Sequence, residues 1–297
     1  MCDETTEREL DAYLAKKALT RRRFTASAST AIVTAGLAPV ALAAVDHEPA
    51  ALMETEVLVP TPDGEADALF IYPSEGAHAA VIFWPDIHGV RPAFFDMARR
   101  LAGAGYAVLA ANPYYRTTKG QLFDEGMTFQ DPGGRELVMP HYTSVTPQTV
   151  VVDAAALTAW LDQQEAVDTS KGIGAVGFCM TGSWTLRAAA AVPSRIKAPS
   201  SFHGGGLVTD QPDSPHLLAD QITGGVLIAI AENDHERQPE AQGVLIDAFA
   251  KANVPAEIEV YADAMHGWVP TDGRAYHPEQ SERAWGRMLA LFATQLQ

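Results

Sequence analysis

Cysteine is nearly missing from this 297-residue chain: it occurs twice, at Cys2 in a polar N-terminal stretch and at Cys179. Two such residues imply no disulfide framework, and Cys179 stands alone as a candidate reactive thiol. Positive charge is scarce as well. Lysine and arginine number 21 against 37 aspartates and glutamates, a formal net charge of −16 at pH 7. That sign excludes binding along a nucleic-acid backbone. The chain has no internal repeat and no mark of a second domain. What remains is 47% apolar and 20% charged, the balance of a globular protein with one substantial core.

One long stretch carries no charge at all. Residues 25–45 are alanine-rich, end in Ala41-Leu42-Ala43-Ala44, and follow Thr20-Arg21-Arg22-Arg23-Phe24. A basic patch, an apolar segment and a small-residue cleavage site, in that order, make an export signal. Thr-Arg-Arg-x-Phe resembles the twin-arginine signal of folded-protein export. Residues 1–45 are therefore expected to act as a signal cleaved after Ala43. The mature domain, 46–297, would then be periplasmic or secreted, with no stable membrane insertion. A cytosolic helix and an uncleaved anchor are the other readings of this stretch.

From residue 54 the pattern becomes α/β. Residues 55–59 and 66–72 read as a hairpin around Pro62-Asp63-Gly64, and 79–84 as a buried strand. A helix over 92–102 and a strand over 106–111 follow. Residues 112–146 form a long Gly-, Pro- and Tyr-bearing segment of the kind that serves as a lid. Helices are then expected over 147–164, 183–191, 239–252 and 277–297, with strands over 171–176, 196–202, 226–231 and 256–261. Strands that alternate with helices predict a mostly parallel, doubly wound sheet covered by helices on both faces.

The most informative stretch is Gly177-Phe178-Cys179-Met180-Thr181-Gly182, between a small apolar strand and an alanine-rich helix stopped by Pro193. A chain that turns from strand to helix within three residues exposes the apex side chain above the sheet. This is the nucleophile elbow of an α/β-hydrolase fold, with Cys179 at the apex; a small buried cysteine on an ordinary turn is the plainer reading. Downstream strands end at Glu232-Asn233-Asp234-His235 and at Asp263-Ala264-Met265-His266-Gly267. These supply a base, His266, and an orienting acid, Asp234, with Glu232 or Asp263 as alternatives. Asp234, His235 and Glu236 are metal-ligand types, but nothing completes a coordination shell, so neither metal nor other cofactor is expected.

Taken together, Gly-Phe-Cys-Met-Thr-Gly, Pro-Asp-Ile-His-Gly, Asn-Pro-Tyr-Tyr-Arg, Glu-Asn-Asp-His and Ala-Met-His-Gly-Trp resemble the dienelactone hydrolase family, from about residue 51 to the C-terminus. The resemblance implies an α/β-hydrolase fold and a Cys179–His266–Asp234 triad that cleaves esters or lactones through an acyl-thioester. It also implies an oxyanion hole from the amides of Ile87 and Met180, Asp86 as a thiol-activating acid, and Arg116 as a clamp for a substrate carboxylate. His88, Tyr115, His203 and Trp268 are candidate pocket residues, and Tyr114 and Tyr142 would extend an aromatic wall. The sequence departs from the family pattern at Asp86, where glutamate is usual, at Thr181 in place of glycine, and at Pro270 in place of a second arginine. The last departure favours a broader ester specificity. A broad carboxylesterase, a thioesterase or peptidase, and a non-catalytic binding module for small ligands are the rival readings.

Overall fold

The computed structural model describes residues 4–27, 51–124 and 126–297. Its centre is an eight-stranded sheet in the order β1-β2-β4-β3-β5-β6-β7-β8. Strands β1 (Leu52–Thr61) and β2 (Gly64–Pro73) form the expected hairpin, longer than predicted, and β2 runs antiparallel to β4 (Ala107–Ala111). From β4 onward, through β3 (Ala80–Trp84), β5 (Ile173–Phe178), β6 (Ile196–Phe202), β7 (Val226–Ala231) and β8 (Ala256–Tyr261), every pairing is parallel.

The period-2 geometry of a strand divides the core. In β3, Ile82 and Trp84 join Leu157, Leu186 and Phe249, the residues of α4 (Pro147–Leu161), α5 (Gly182–Ala191) and α7 (Ala241–Ala252). Val81 and Phe83 point the other way, to Phe94, Leu101, Trp285 and Phe292 of α2 (Pro92–Gly103) and α8 (Pro278–Gln295). Because both faces are covered, β3, β4 and β5 are uniformly apolar and fully buried. Helix ends carry local signals: Thr146 and Thr149 cap α4 reciprocally, with proline at the first helical position.

Two predicted loops contain helices. Residues 112–146 include α3 (Gly134–Tyr142), and the stretch after β7 forms α6 (Glu232–Arg237), so Asp234 sits on a helical turn. At the N-terminus, α1 (Glu4–Ser27) includes the arginine cluster within its bounds. The apolar run beyond it and the expected cleavage position at Ala43 lie outside the described residues. No described helix is long and apolar enough to cross a membrane.

Parallel strands place their carboxyl ends along one edge, and the chain leaves β3 for β4 on one side and β5 on the other. A crevice opens at such a reversal. The loops after β3, β5, β7 and β8 meet there.

Candidate active site

The elbow is built as its spacing implies. Phe178 is still extended, whereas Cys179 takes φ = 54°, a left-handed conformation that a non-glycine residue adopts only under constraint. Gly177 has no alternative: a Cβ there would stand 2.2 Å from the Thr181 carbonyl oxygen. Gly182 is equally confined, since a Cβ would lie 2.5 Å from Cα of Gly204. Thr181 explains its own departure from glycine. Its hydroxyl accepts from the Phe178 N–H (2.8 Å) and donates to the Pro85 carbonyl (2.9 Å), stitching the elbow to the loop after β3. Cys179 is buried and faces a cavity of about 450 Å³.

The loops after β7 and β8 bring His266 to the same cavity. Its Nδ1 lies 2.6 Å from Oδ2 of Asp234, and its backbone N–H donates to Oδ1 of Asn233 at 2.8 Å. Consecutive residues on α6 thus fix both the ring and the backbone of His266. Of the alternatives, Glu232 is occupied in accepting the Asp263 N–H, and Asp234 is the carboxylate that meets the imidazole. With Nδ1 committed, Nε2 is left to the thiol. Burial alone would lower the His266 pKa, but the Asp234 carboxylate and the neighbouring Cys179 thiol raise it to about 10. Burial would raise Asp234, and the imidazolium brings it below its ordinary value.

Asp86 also lines the cavity, under strong restraint. Arg91 donates to both of its oxygens (2.7 and 3.0 Å), and His88 donates its backbone N–H to Oδ1 (2.9 Å). Burial pushes this carboxyl up, yet the Arg91 guanidinium and His88 hold it well below the usual carboxylate range. A carboxylate so stabilised is a weak base, and in this arrangement the stronger proton acceptor near Cys179 is His266. Arg91 reaches further, to both oxygens of Asp272 at 2.7 and 3.2 Å, tying the loop after β3 to the loop after β8.

Two tyrosines that share a sequence motif part company. The Tyr114 hydroxyl donates to the carbonyl of Ile87 at 2.8 Å and touches Sδ of Met180 at 3.4 Å, linking the two residues expected to form an oxyanion hole. Tyr115 instead donates to Asp153 (2.7 Å), beside Arg116. Arg116 does not reach the cavity: its guanidinium bonds both oxygens of Asp153 (2.7 and 2.9 Å) and Oδ2 of Asp63. Trp268 is likewise absent from the lining; it is fully buried and stacked on Tyr261 at 4.8 Å. His88 and His203 do line the cavity, with Phe123 and Met127 from the segment after β4. His203 takes φ = 40°, is 1% exposed, and has no partner for either ring nitrogen among the described residues. Burial and the nearby His266 depress its pKa to about 4.

Sequence reasoning missed Asn233, although it lies inside Glu-Asn-Asp-His, and Arg91, whose only signal was its place two residues after Gly89. It also gave no sign that Thr6 and Leu10 of α1 line the cavity.

Comparison with known proteins places these features in context. The model of the dienelactone hydrolase family matches residues 66–296. A Synechocystis sp. protein with the provisional name carboxymethylenebutenolidase is 29% identical over 225 residues, covering 74% of this chain and 88% of its own. The carboxymethylenebutenolidase of Rhodococcus opacus is 27% identical over 224 residues, 73% of this chain and 81% of that protein. A solved Klebsiella pneumoniae structure, provisionally described as a dienelactone hydrolase, superposes with a TM-score of 0.69 at 25% identity, covering 82% of this chain and 99% of the other.

Proposed function

We propose, from the premise that this chain belongs to the dienelactone hydrolase family, that it is a carboxylic ester hydrolase working through Cys179, His266 and Asp234. The observation that carries the assignment is the 2.6 Å contact between Asp234 and His266 in the cavity that Cys179 faces. An imidazole raised toward 10 takes the thiol proton and remains charged beside the thiolate. The sulfur attacks the ester carbonyl carbon. The oxyanion that forms is held by the N–H groups of Ile87 and Met180, which Tyr114 keeps in register. The carbon–oxygen bond of the ester then breaks, and the departing alkoxide takes its proton from His266. Water, deprotonated by His266, attacks the thioester, the acid leaves, and Cys179 returns as thiolate.

With α1 in place, the cavity favours neutral substrates. Of the arginines that line it, Arg91 is committed to Asp86 and Asp272, and Arg274 to Asp11. In that form small neutral esters and lactones fit better than substrates that need a free guanidinium, and removal of residues 1–43 would take Asp11 away from Arg274. Replacing Cys179 by alanine should abolish turnover, and alkylation by iodoacetamide should remove it in step with labelling of Cys179. Retention of more than about a tenth of kcat/KM by Cys179→Ala, a loss under about 1.4 kcal/mol, overturns the assignment. Export through residues 20–45 is part of the same reading. Changing Arg21 and Arg22 to lysine should leave precursor in the cytoplasm, and unprocessed wild-type protein free in that compartment would refute it.

A further inference from the structure

α1 is a polar helix, yet two of its side chains, Thr6 and Leu10, are only 5% exposed. Four residues apart, they lie on one face of the helix and line the same cavity as Cys179 and His266. A helix without a broad apolar stripe is held by specific contacts or not at all. Here the contacts are polar and concentrated. Glu9 accepts from Nδ2 of Asn233 at 2.9 Å and from Arg237 at 2.5 and 3.1 Å, and the Tyr13 hydroxyl donates to the carbonyl of Asp263 at 2.9 Å. A further ion pair joins Asp11 to Arg274 at 2.5 Å.

The partners on the body of the protein are not scattered. Asn233 and Arg237 flank Asp234 on α6; Asp263 and Arg274 flank His266 in the loop after β8. Asn233 uses one end of its amide for Glu9 and the other for the His266 backbone. The helix is therefore fixed to the two segments that carry the acid and the base. Leu10 is the apolar side chain that the helix delivers to the cavity from this fixed position.

We propose that α1 is a wall of the substrate cavity and that Leu10 limits the length of ester the site accepts. The inference rests on the hydrolase reading for its substrate class. Leu10 closes the cavity against the apolar tail of the substrate, and the Glu9 contacts hold it there. Cleavage of the leader at Ala43 would remove this wall, so precursor and processed enzyme would differ in substrate range as well as in location.

The test uses the full chain carrying Cys2→Ser, so that Cys179 is the sole thiol. Hydrolysis is measured for p-nitrophenyl esters from acetate to octanoate and for acetates of alcohols of matching length. Leu10→Ala should raise the ratio of long-chain to short-chain kcat/KM by about tenfold in one of the two series, and Leu10→Trp should lower it by a similar factor, the scale of one or two methylenes in an apolar pocket. Glu9→Lys, which sets a cation against Arg237, should release the helix. Labelling of Cys179 by a bulky fluorescein maleimide should then speed up about fivefold, with less than about a twofold change for iodoacetamide. Ratios within about twofold of wild type in both series, with hydrolysis intact, overturn the wall. Equal acceleration by both thiol reagents in Glu9→Lys does the same, since it reports a general loosening. Absence of ester cleavage by every form would instead refute the hydrolase reading, while the two labelling rates would still decide whether α1 screens Cys179.

Discussion

His203 and His266 stand edge to face with ring centroids 5.0 Å apart, and the two imidazoles are shifted in opposite directions. Asp234 supplies the difference: it bonds His266, whereas the buried His203 ring has no hydrogen-bond partner among the described residues. A histidine held neutral down to about 4 binds fewer protons than the unfolded chain between pH 6.5 and 4. Its contribution is therefore complete above 6.5 and is lost on acidification through that window. The full effect is about 3 kcal/mol, from roughly 1.36 kcal/mol per pH unit. His266 does not confuse the window, because its raised pKa contributes stability that is lost only as pH climbs from 6.5 toward 10. The variant His203→Asn, which tolerates positive φ, should lose less stability than wild type between pH 7 and 4.5 in urea unfolding. Parallel pH profiles for the two proteins would show that His203 does not titrate as described.

The carboxylate of Asp234 has a measurable counterpart in catalysis. Asp234→Asn keeps the shape of the side chain but removes the anion that lifts His266. On the scale seen for triad acids, kcat/KM should fall by about 10²–10⁴. The alkaline limb of the pH–rate profile should also move to lower pH, because the imidazolium that protonates the leaving alkoxide now loses its proton earlier. A limb in the same place would separate Asp234 from the ionisation of His266.

Much of this site was legible in the sequence because it depends on local geometry. Gly177 and Gly182 stand where a Cβ would strike Thr181 and Gly204, so the elbow is written in residues that only a tight strand–helix turn requires. The acid and base were legible for a topological reason: in a parallel sheet each follows a strand, and all strands end on the same edge. Pairings across loops are another matter. Arg116 meets Asp63, 53 positions upstream, and Glu9 meets Arg237, 228 positions downstream. Hydrophobic periodicity reports which face of an element is buried, and it carries no record of which charged side chains face each other across a loop cluster.

The pairing of Arg116 with Asp153 gives that arginine a structural rather than a substrate-binding task. Asp153 is buried, and its two oxygens take the Arg116 guanidinium and the Tyr115 hydroxyl. Arg116→Ala strands that carboxylate and should destabilise the protein by about 1.5–3 kcal/mol, the cost of losing a charged hydrogen-bonding partner. Activity on anionic and neutral esters should change by the same factor, since the guanidinium lies outside the cavity. A selective loss on the anionic ester, beyond about threefold or 0.7 kcal/mol, would restore Arg116 as a substrate clamp.

Arg91 invites the sharpest electrostatic test, because it does most to set the sign of the shift at Asp86. Burial acts to raise that carboxyl, and the guanidinium is the largest influence that overcomes it. In the wild type the ionised carboxylate contributes stability that is complete above the unfolded pKa near 3.8 and is lost only as pH falls further. Arg91→Gln removes the cation and leaves the burial. The folded carboxyl should then titrate above its unfolded value, which makes its ionisation destabilising at neutral pH. The deficit of Arg91→Gln relative to wild type should accordingly be largest near pH 7.5 and shrink as pH is lowered toward 4.5. Lysine at the same position keeps a charge but cannot bridge Asp86 and Asp272 with a planar fork, so Arg91→Lys should show a smaller deficit with a flatter profile. Urea unfolding of the three proteins at pH 7.5, 5.5 and 4.5 provides the comparison. A deficit for Arg91→Gln that is constant, or that grows toward acid pH, would mean that Arg91 acts by packing against Phe94, 4.5 Å away, and that the ionisation of Asp86 is set elsewhere.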